Sequence, residues 1–217
     1  MLVFMGYEYI LSFLEEQGVA VVKKMKNEFL NDSAEDIYVL KDGIVKVSKI
    51  LEDGREHNIT YLKAPDMVTL FKNRVCDCDS NQVRIRIESE NAIFYCVSKP
   101  DFVDWVKQDA KLRECVDDYY LTRLIEAIYR QRLMMMNSKK GAVCALIYYL
   151  IPLFGKRVRD GMLIDQQVTN DDIAGFCGIS TCNSVNRILR MLRDENVIRI
   201  VYNKILILNT EYLKEYI

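Results

Sequence analysis

Near the end of the chain stand two clusters whose residue types and spacing could do chemistry. Thr169-Asn-Asp-Asp172 offers a hydroxyl and two acids to the bare N–H groups at a helix start. Twelve or so residues on, Ser180, Thr181, Cys182, Asn183, Ser184, Asn186, Arg187, Arg190 and Arg193 are interleaved with Val185, Ile188, Leu189 and Leu192. The apolar set repeats at helical spacing, so the polar set falls on the remaining surface of one helix. Between the clusters, Gly178 can take the left-handed conformation of a tight turn. Two short helices about a glycine turn, the second polar at its N-terminal end, make a helix-turn-helix. Val197 to Val201 and Ile205 to Leu208 read as strands joined through Tyr202-Asn203-Lys204, which adds a β-hairpin wing.

That pattern predicts DNA recognition. A helix fits the major groove, where Arg187 could grip guanine O6 and N7 and Asn183 could read a base edge or a phosphate. Ser180, Thr181, Ser184 and Lys204 would hold phosphates and so set register rather than sequence. The bland reading of Arg187 is a surface ion pair with Asp194 or Glu195.

The preceding elements must position this segment. Asn137-Ser138 can cap a helix from Lys139 to about Leu153, and Gly155 to Gln167 reads as a linker with a turn at Asp160-Gly161. Before it, Lys111 to Met136 runs without Gly or Pro and carries Leu112, Val116, Tyr119, Tyr120, Leu124, Ile128 and Leu133. Such a long helix with an apolar stripe predicts packing on a partner helix, with Val116, Tyr120, Leu124 and Ile128 at the dimer seam; the alternative is a core helix packed only against its own chain. Asp101 to Lys107 is a shorter helix. Upstream the period drops to two, in Ile37 to Leu40, Ile44 to Ile50, Asn58 to Leu62, Val83 to Ile87 and Ala92 to Val97. Asp42-Gly43 and Glu52-Asp53-Gly54 separate the first three as hairpins, so an antiparallel sheet closing into a roll is expected. A short amphipathic helix from Tyr7 to Gln17 precedes it. The fold class is thus α+β: an antiparallel β-roll over 1–108, a dimerisation helix over 109–137 and a winged helix-turn-helix over 138–217.

Bulk composition agrees. Of 217 residues 50% are hydrophobic and the net charge is −1, which argues against disorder. From Ser138 onward 11 Lys/Arg face 8 Asp/Glu, a mildly basic C-terminal part. No apolar run reaches membrane-span length, and no secretion signal is evident. Seven cysteines without framework spacing suit a reducing cytoplasm. A single histidine, His57, with no phosphate loop or nucleophile elbow, argues against an enzyme. The remaining rival is a winged-helix module that binds protein rather than specific DNA.

The order of parts resembles the Crp/Fnr superfamily of bacterial regulators. Asp160-Gly-Met-Leu-Ile164, Val168-Thr-Asn-Asp-Asp-Ile-Ala-Gly175 and Val185-Asn-Arg-Ile-Leu-Arg-Met-Leu192 are similar to its DNA-binding signature. Asp42-Gly-Ile-Val-Lys46, Asn58-Ile-Thr-Tyr61 with Lys63, Asn137 to Lys139 and Glu211-Tyr-Leu-Lys-Glu-Tyr216 look like the PrfA-like virulence regulators of Gram-positive bacteria. The resemblance implies a homodimer on a pseudo-palindrome, a leaning towards activation with RNA polymerase as partner, and base-facing positions at Cys182, Asn183 and Arg187. Ser or Arg is more usual at Cys182.

The same resemblance bears on ligands. Cyclic-nucleotide members hold their ligand through Gly-Glu and Arg-Ser/Thr-Ala, but Pro65 to Ile87 has no Gly and places Gln82-Val83-Arg84 at the second motif, so cyclic AMP is not expected. The N-terminal cysteine run of iron–sulfur members is missing, since the first cysteine is Cys76. Cys76-Asp-Cys78 is spaced too tightly for a usual zinc pair. Glutathione, the activator in the PrfA-like branch, implies an effector pocket at Tyr61, Leu62, Lys63, Arg123 and Glu126, with Leu62 standing where a pocket tyrosine would. Thiol oxidation at Cys76, Cys78 or Cys182 is a separate expectation.

Overall fold

The computed structural model describes residues 6–30, 36–68, 83–136 and 138–217. The chain forms two compact units that divide between Ile125 and Glu126, inside the long helix. That boundary differs from an expected helix standing apart over 109–137.

The N-terminal unit begins with helix α1 (Tyr7–Glu16), followed by strands β1 (Val21–Met25), β2 (Asp36–Asp42), β3 (Ile44–Ile50), β4 (Glu56–Lys63), β5 (Asp66–Met67), β6 (Val83–Ile87) and β7 (Asn91–Ser98). Helix α2 (Lys99–Gln108) and the start of helix α3 (Ala110–Met136) complete it. All strand pairs are antiparallel, in one sheet ordered β1-β7-β2-β5 and another ordered β4-β3-β6. Alternation along the strands divides the core in two. Leu40, Val45, Val47, Leu62, Ile85, Ile87 and Phe94 meet in one apolar cluster fed by both sheets. Val39, Tyr95 and Val97 instead meet Ile10, Leu14, Phe102, Leu112, Val116 and Tyr119 from the helices. Strand β2 is buried on both faces, which is why Ile37 to Leu40 reads as a continuous apolar run. Gly43 closes the β2–β3 turn at φ 104°, where a Cβ would lie 2.8 Å from the Asn91 carbonyl oxygen.

Val116, expected on the dimer seam, is only 7% exposed and packs in this core. The exposed apolar stripe of α3 starts one turn later, with Tyr120, Leu121, Leu124, Ile125, Ile128 and Tyr129. A helix lying on a sheet gives its first turns to its own chain, and periodicity alone does not say where that contact ends.

The C-terminal unit contains α4 (Lys139–Tyr149), α5 (Ile151–Phe154), β8 (Gly155–Val158), β9 (Gly161–Ile164), α6 (Asn170–Cys177), α7 (Cys182–Asp194), β10 (Ile198–Val201), β11 (Lys204–Ile207) and α8 (Thr210–Lys214). Ser138 caps α4 through the Gly141 N–H. Asn137 lies outside the described residues. The helix expected to reach Leu153 is interrupted at Leu150, where Pro152 removes a backbone donor. The expected linker over 155–167 is a β-hairpin, and its second strand pairs with the wing to give the sheet order β10-β11-β9-β8. All four residues of β8 are exposed, so backbone pairing rather than side-chain burial makes it a strand. Gly161 allows the approach: a Cβ there would stand 2.1 Å from the Ile207 carbonyl oxygen.

Candidate nucleic-acid interface

Helix α6 opens with a reciprocal cap. The Thr169 hydroxyl accepts from the Asp172 N–H at 3.0 Å, and the Asp172 carboxylate accepts from the Thr169 N–H at 3.0 Å. Gly178 ends the helix at φ 61°, a left-handed backbone that turns the chain into the next helix. Thr181 caps α7, accepting from the Ser184 N–H. Val185, Ile188, Leu189 and Leu192 bury the inner face of α7, and that burial fixes which side chains face outward.

Asn183 and Arg187, four residues apart, project from the outer face, and both are exposed. Together with Asn170, Asn186, Arg190, Arg193 and Asn203 they line a cleft of about 850 Å³ between α7 and the wing. Of the two suggested counterions for Arg187, Glu195 binds Lys140 at 2.9 Å and the Tyr212 hydroxyl at 2.7 Å instead, and Asp194 makes no ion pair with Arg187. Arg187 therefore keeps its five donors on the surface. The Asn170 amide donates to the Asn186 side chain at 2.7 Å and ties α6 to α7 across the turn. That tie and the cleft-lining Arg190 and Asn203 were not singled out as functional positions. Their helical spacing after Arg187, and the wing turn, were the available signals.

The other expected contact residues lie on the same surface or beside it. Ser180 is exposed, while Thr181 and Ser184 share a 2.9 Å hydrogen bond between their hydroxyls. Lys204 donates to Asp165 at 2.6 Å, and Lys156 pairs with the same carboxylate. The Cys182 thiol donates to Asp171 at 2.6 Å, and that bond holds the thiol above its ordinary pKa, disfavouring the thiolate that oxidation requires. Cys76 and Cys78 lie outside the described residues.

Four of the five effector-pocket residues belong to the N-terminal unit, and they point different ways. Leu62 is in the core between the sheets, whereas its neighbour Tyr61, 2% exposed, faces the opposite side of β4. Lys63 is exposed beside a depression of about 330 Å³ that includes Gly43 and Ser89. Arg123 pairs with the buried Asp66 and donates to the Tyr7 hydroxyl at 2.7 Å. The Tyr119 hydroxyl also donates to Asp66, at 2.9 Å. Burial pushes the Asp66 carboxyl up to about 6 despite these partners. Glu126 is half-buried at the first residue of the C-terminal unit.

Comparison with known proteins agrees with this geometry. Residues 142–216 match the Crp-like helix-turn-helix domain. The chain is 46% identical over 213 residues to the Lactate racemization regulatory protein of Lactiplantibacillus plantarum, covering 97% of this chain and 96% of that one. It is 23% identical over 215 residues to the Listeriolysin regulatory protein of Listeria monocytogenes, covering 96% and 90%. Among solved structures, FixK2 from Bradyrhizobium japonicum superposes with a TM-score of 0.72 at 17% identity, covering 91% of this chain and 96% of that one. With its roll, long helix and winged helix-turn-helix in this order, the chain belongs to the Crp/Fnr superfamily of transcriptional regulators.

Proposed function

We propose that this regulator binds DNA as a homodimer and activates transcription from a pseudo-palindromic operator, its half-sites about one helical turn apart. The observation that carries the reading is the outer face of α7, where Asn183 and Arg187 stand exposed in a cleft walled by the wing. Arg187 reads a guanine through two parallel hydrogen bonds, and Asn183 reads a neighbouring base edge or a phosphate. Cys182 sits beside them at the helix start. The α3 stripe from Tyr120 to Tyr129 supports dimerisation, because so much exposed apolar surface on one helix gains by burial against a second copy. RNA polymerase is the further partner that activation requires, in a cytoplasmic setting. No helix among the described residues is long and apolar enough to cross a membrane.

The 46% identical relative is named for the regulation of lactate racemisation, and the proposal extends to that control circuit here. Lactate, glutathione or no effector are the states to distinguish. Selection from random duplex DNA by the purified, reduced protein tests the proposal, run alone and with glutathione, L-lactate or D-lactate. Enrichment of one inverted repeat is expected, and an arm that enriches it selectively identifies the effector. The Arg187→Ala variant should then lose ~1–3 kcal/mol and relax one base position per half-site. Binding that stays non-specific in every arm, and unchanged by Arg187→Ala, would overturn the DNA reading in favour of a protein-binding winged helix.

A further inference from the structure

The Tyr119 hydroxyl has one proton and two acceptors in reach: Asp66 Oδ1 at 2.9 Å and the Met67 carbonyl oxygen at 2.7 Å. With Asp66 ionised, that proton serves one acceptor and leaves the other short. With a proton on Oδ1 both are satisfied, because the Asp66 O–H donates to the Tyr119 oxygen and the Tyr119 O–H donates to Met67. Burial works in the same direction, since Asp66 is 3% exposed and a carboxyl there prefers its neutral form. The Arg123 guanidinium is the main opposing influence. Among the described residues, the ionisable groups facing Asp66 are Tyr7 from α1 and Tyr119 and Arg123 from α3, while strand β2 sets Leu40 beside it. Burial keeps both phenols protonated well above the neutral range, so Asp66 is the member of the cluster that titrates.

This cluster stands directly behind the exposed stripe of α3. The Tyr119 ring meets the Tyr120 ring edge-on at 6.0 Å, and the Arg123 guanidinium lies 5.1 Å from the Tyr119 ring centre. Tyr120 and Leu124, on either side of Arg123 along the helix, are both exposed. While Asp66 is ionised it draws the guanidinium inward, away from the stripe. Once Asp66 is neutral, the guanidinium keeps its charge and, already a quarter exposed, turns to water beside Tyr120 and Leu124. Burying the stripe then requires that charge to be stripped of water. We infer that the proton is an effector of this protein: its binding between Asp66 and Tyr119 weakens the pairing of α3 with a second copy. This rests on the homodimer reading above. By linkage, the dimer holds the Asp66 proton less tightly than the single protomer does. Because pairing depresses the pKa, the dimer's advantage is complete above the protomer's value of about 6 and is lost as pH falls through the dimer's lower one.

The test is sedimentation equilibrium of the full chain, parent and Asp66→Asn, at about pH 7.5 and about pH 5. The parent dimer should dissociate about ten-fold more readily at the lower pH. Asp66→Asn puts a neutral side chain of the same shape in place, and should dissociate alike at both, close to the parent at low pH. Ile128→Glu, which sets a charge on the stripe more than a turn beyond Arg123, should be monomeric. Carbon-13 NMR should find its Asp66 carboxyl titrating near 6, above the midpoint in the parent dimer. That second comparison holds even where Asp66→Asn folds poorly. Equal pH dependence of dimerisation in parent and Asp66→Asn would overturn the inference, as would equal carboxyl midpoints in the dimeric parent and monomeric Ile128→Glu. Failure of the homodimer reading looks different and takes the inference with it: the parent then sediments as a monomer at both pH values, and Ile128→Glu changes nothing.

Discussion

The N-terminal unit buries charged side chains in ion pairs, whereas the cleft of the C-terminal unit leaves its arginines on the surface. In the N-terminal unit, Asp66 pairs with Arg123, Lys46 with Glu56 at 3.3 Å and Arg86 with Glu88 at 2.8 Å, and one member of each pair is less than a tenth exposed. In the C-terminal unit, Arg187, Arg190, Arg193 and Arg199 stand exposed around a cleft or on the adjoining strand. A buried charge must be compensated by its own chain, so it holds structure and has little left for a ligand. An exposed guanidinium keeps its donors for a phosphate or a base. Sequence motifs alone do not separate the two cases: Arg123 and Arg187 were both expected to bind ligands, and the fold gives only Arg123 an internal carboxylate partner.

This contrast can be broken or sharpened by substitution, starting where the effect should be largest. Arg123→Met strands the Asp66 carboxylate in the core and should cost ~3–5 kcal/mol of stability, read from urea unfolding near neutral pH. That cost should shrink below about pH 6, where Asp66 can take up a proton instead. A cost under ~1 kcal/mol at neutral pH would mean the pair is no more than a surface ion pair.

Asp66 itself predicts a pH dependence. Its folded-state pKa lies near 6, above its ordinary value of 3.8, so the native state binds the proton more tightly than the unfolded chain does. The resulting stability is complete below pH 3.8 and is lost as pH rises through about 6, by an amount on the order of 3 kcal/mol. Asp66→Asn should remove that part of the slope while other groups keep theirs. Identical pH profiles for parent and variant would count against a buried, titrating Asp66.

Smaller effects belong to the C-terminal unit. Thr169→Ala loses the hydroxyl half of the α6 cap and should cost ~1 kcal/mol, measured by thermal unfolding. Arg187→Ala should change stability by less than ~0.5 kcal/mol while weakening operator binding. A large loss of stability there would show that Arg187 is structural after all, and the contrast between the units would fail.

Much of the C-terminal unit was legible because its signals are local. Thr169 with Asp172, Gly178, the apolar set from Val185 to Leu192 and the paired wing strands each lie within a few residues of one another. The hairpin from Gly155 to Ile164 was missed because β8 carries Lys156, Arg157 and no buried residue. Strand β1 escaped for a similar reason: it is a sheet edge beside β7, with an exposed Val21 and Met25 and two lysines between. Strand β1 is held by backbone pairing with the distant β7 and β8 by pairing with its own hairpin partner β9, and neither leaves much mark on side-chain pattern.

Sequence by itself determined the α+β class, the order of roll, long helix and winged helix-turn-helix, and the outward face of α7. These follow from period, caps and turn residues, which act over one or two turns of chain. Only the tertiary structure decided that Val116 is core while Leu124 is surface, that Arg123 is paired with a buried carboxylate, and that Lys204 lies beside Asp165. Those outcomes depend on which distant side chain arrives within about 3 Å, because charge and hydrogen-bond pairing act at contact range and the chain between the partners does not encode that distance.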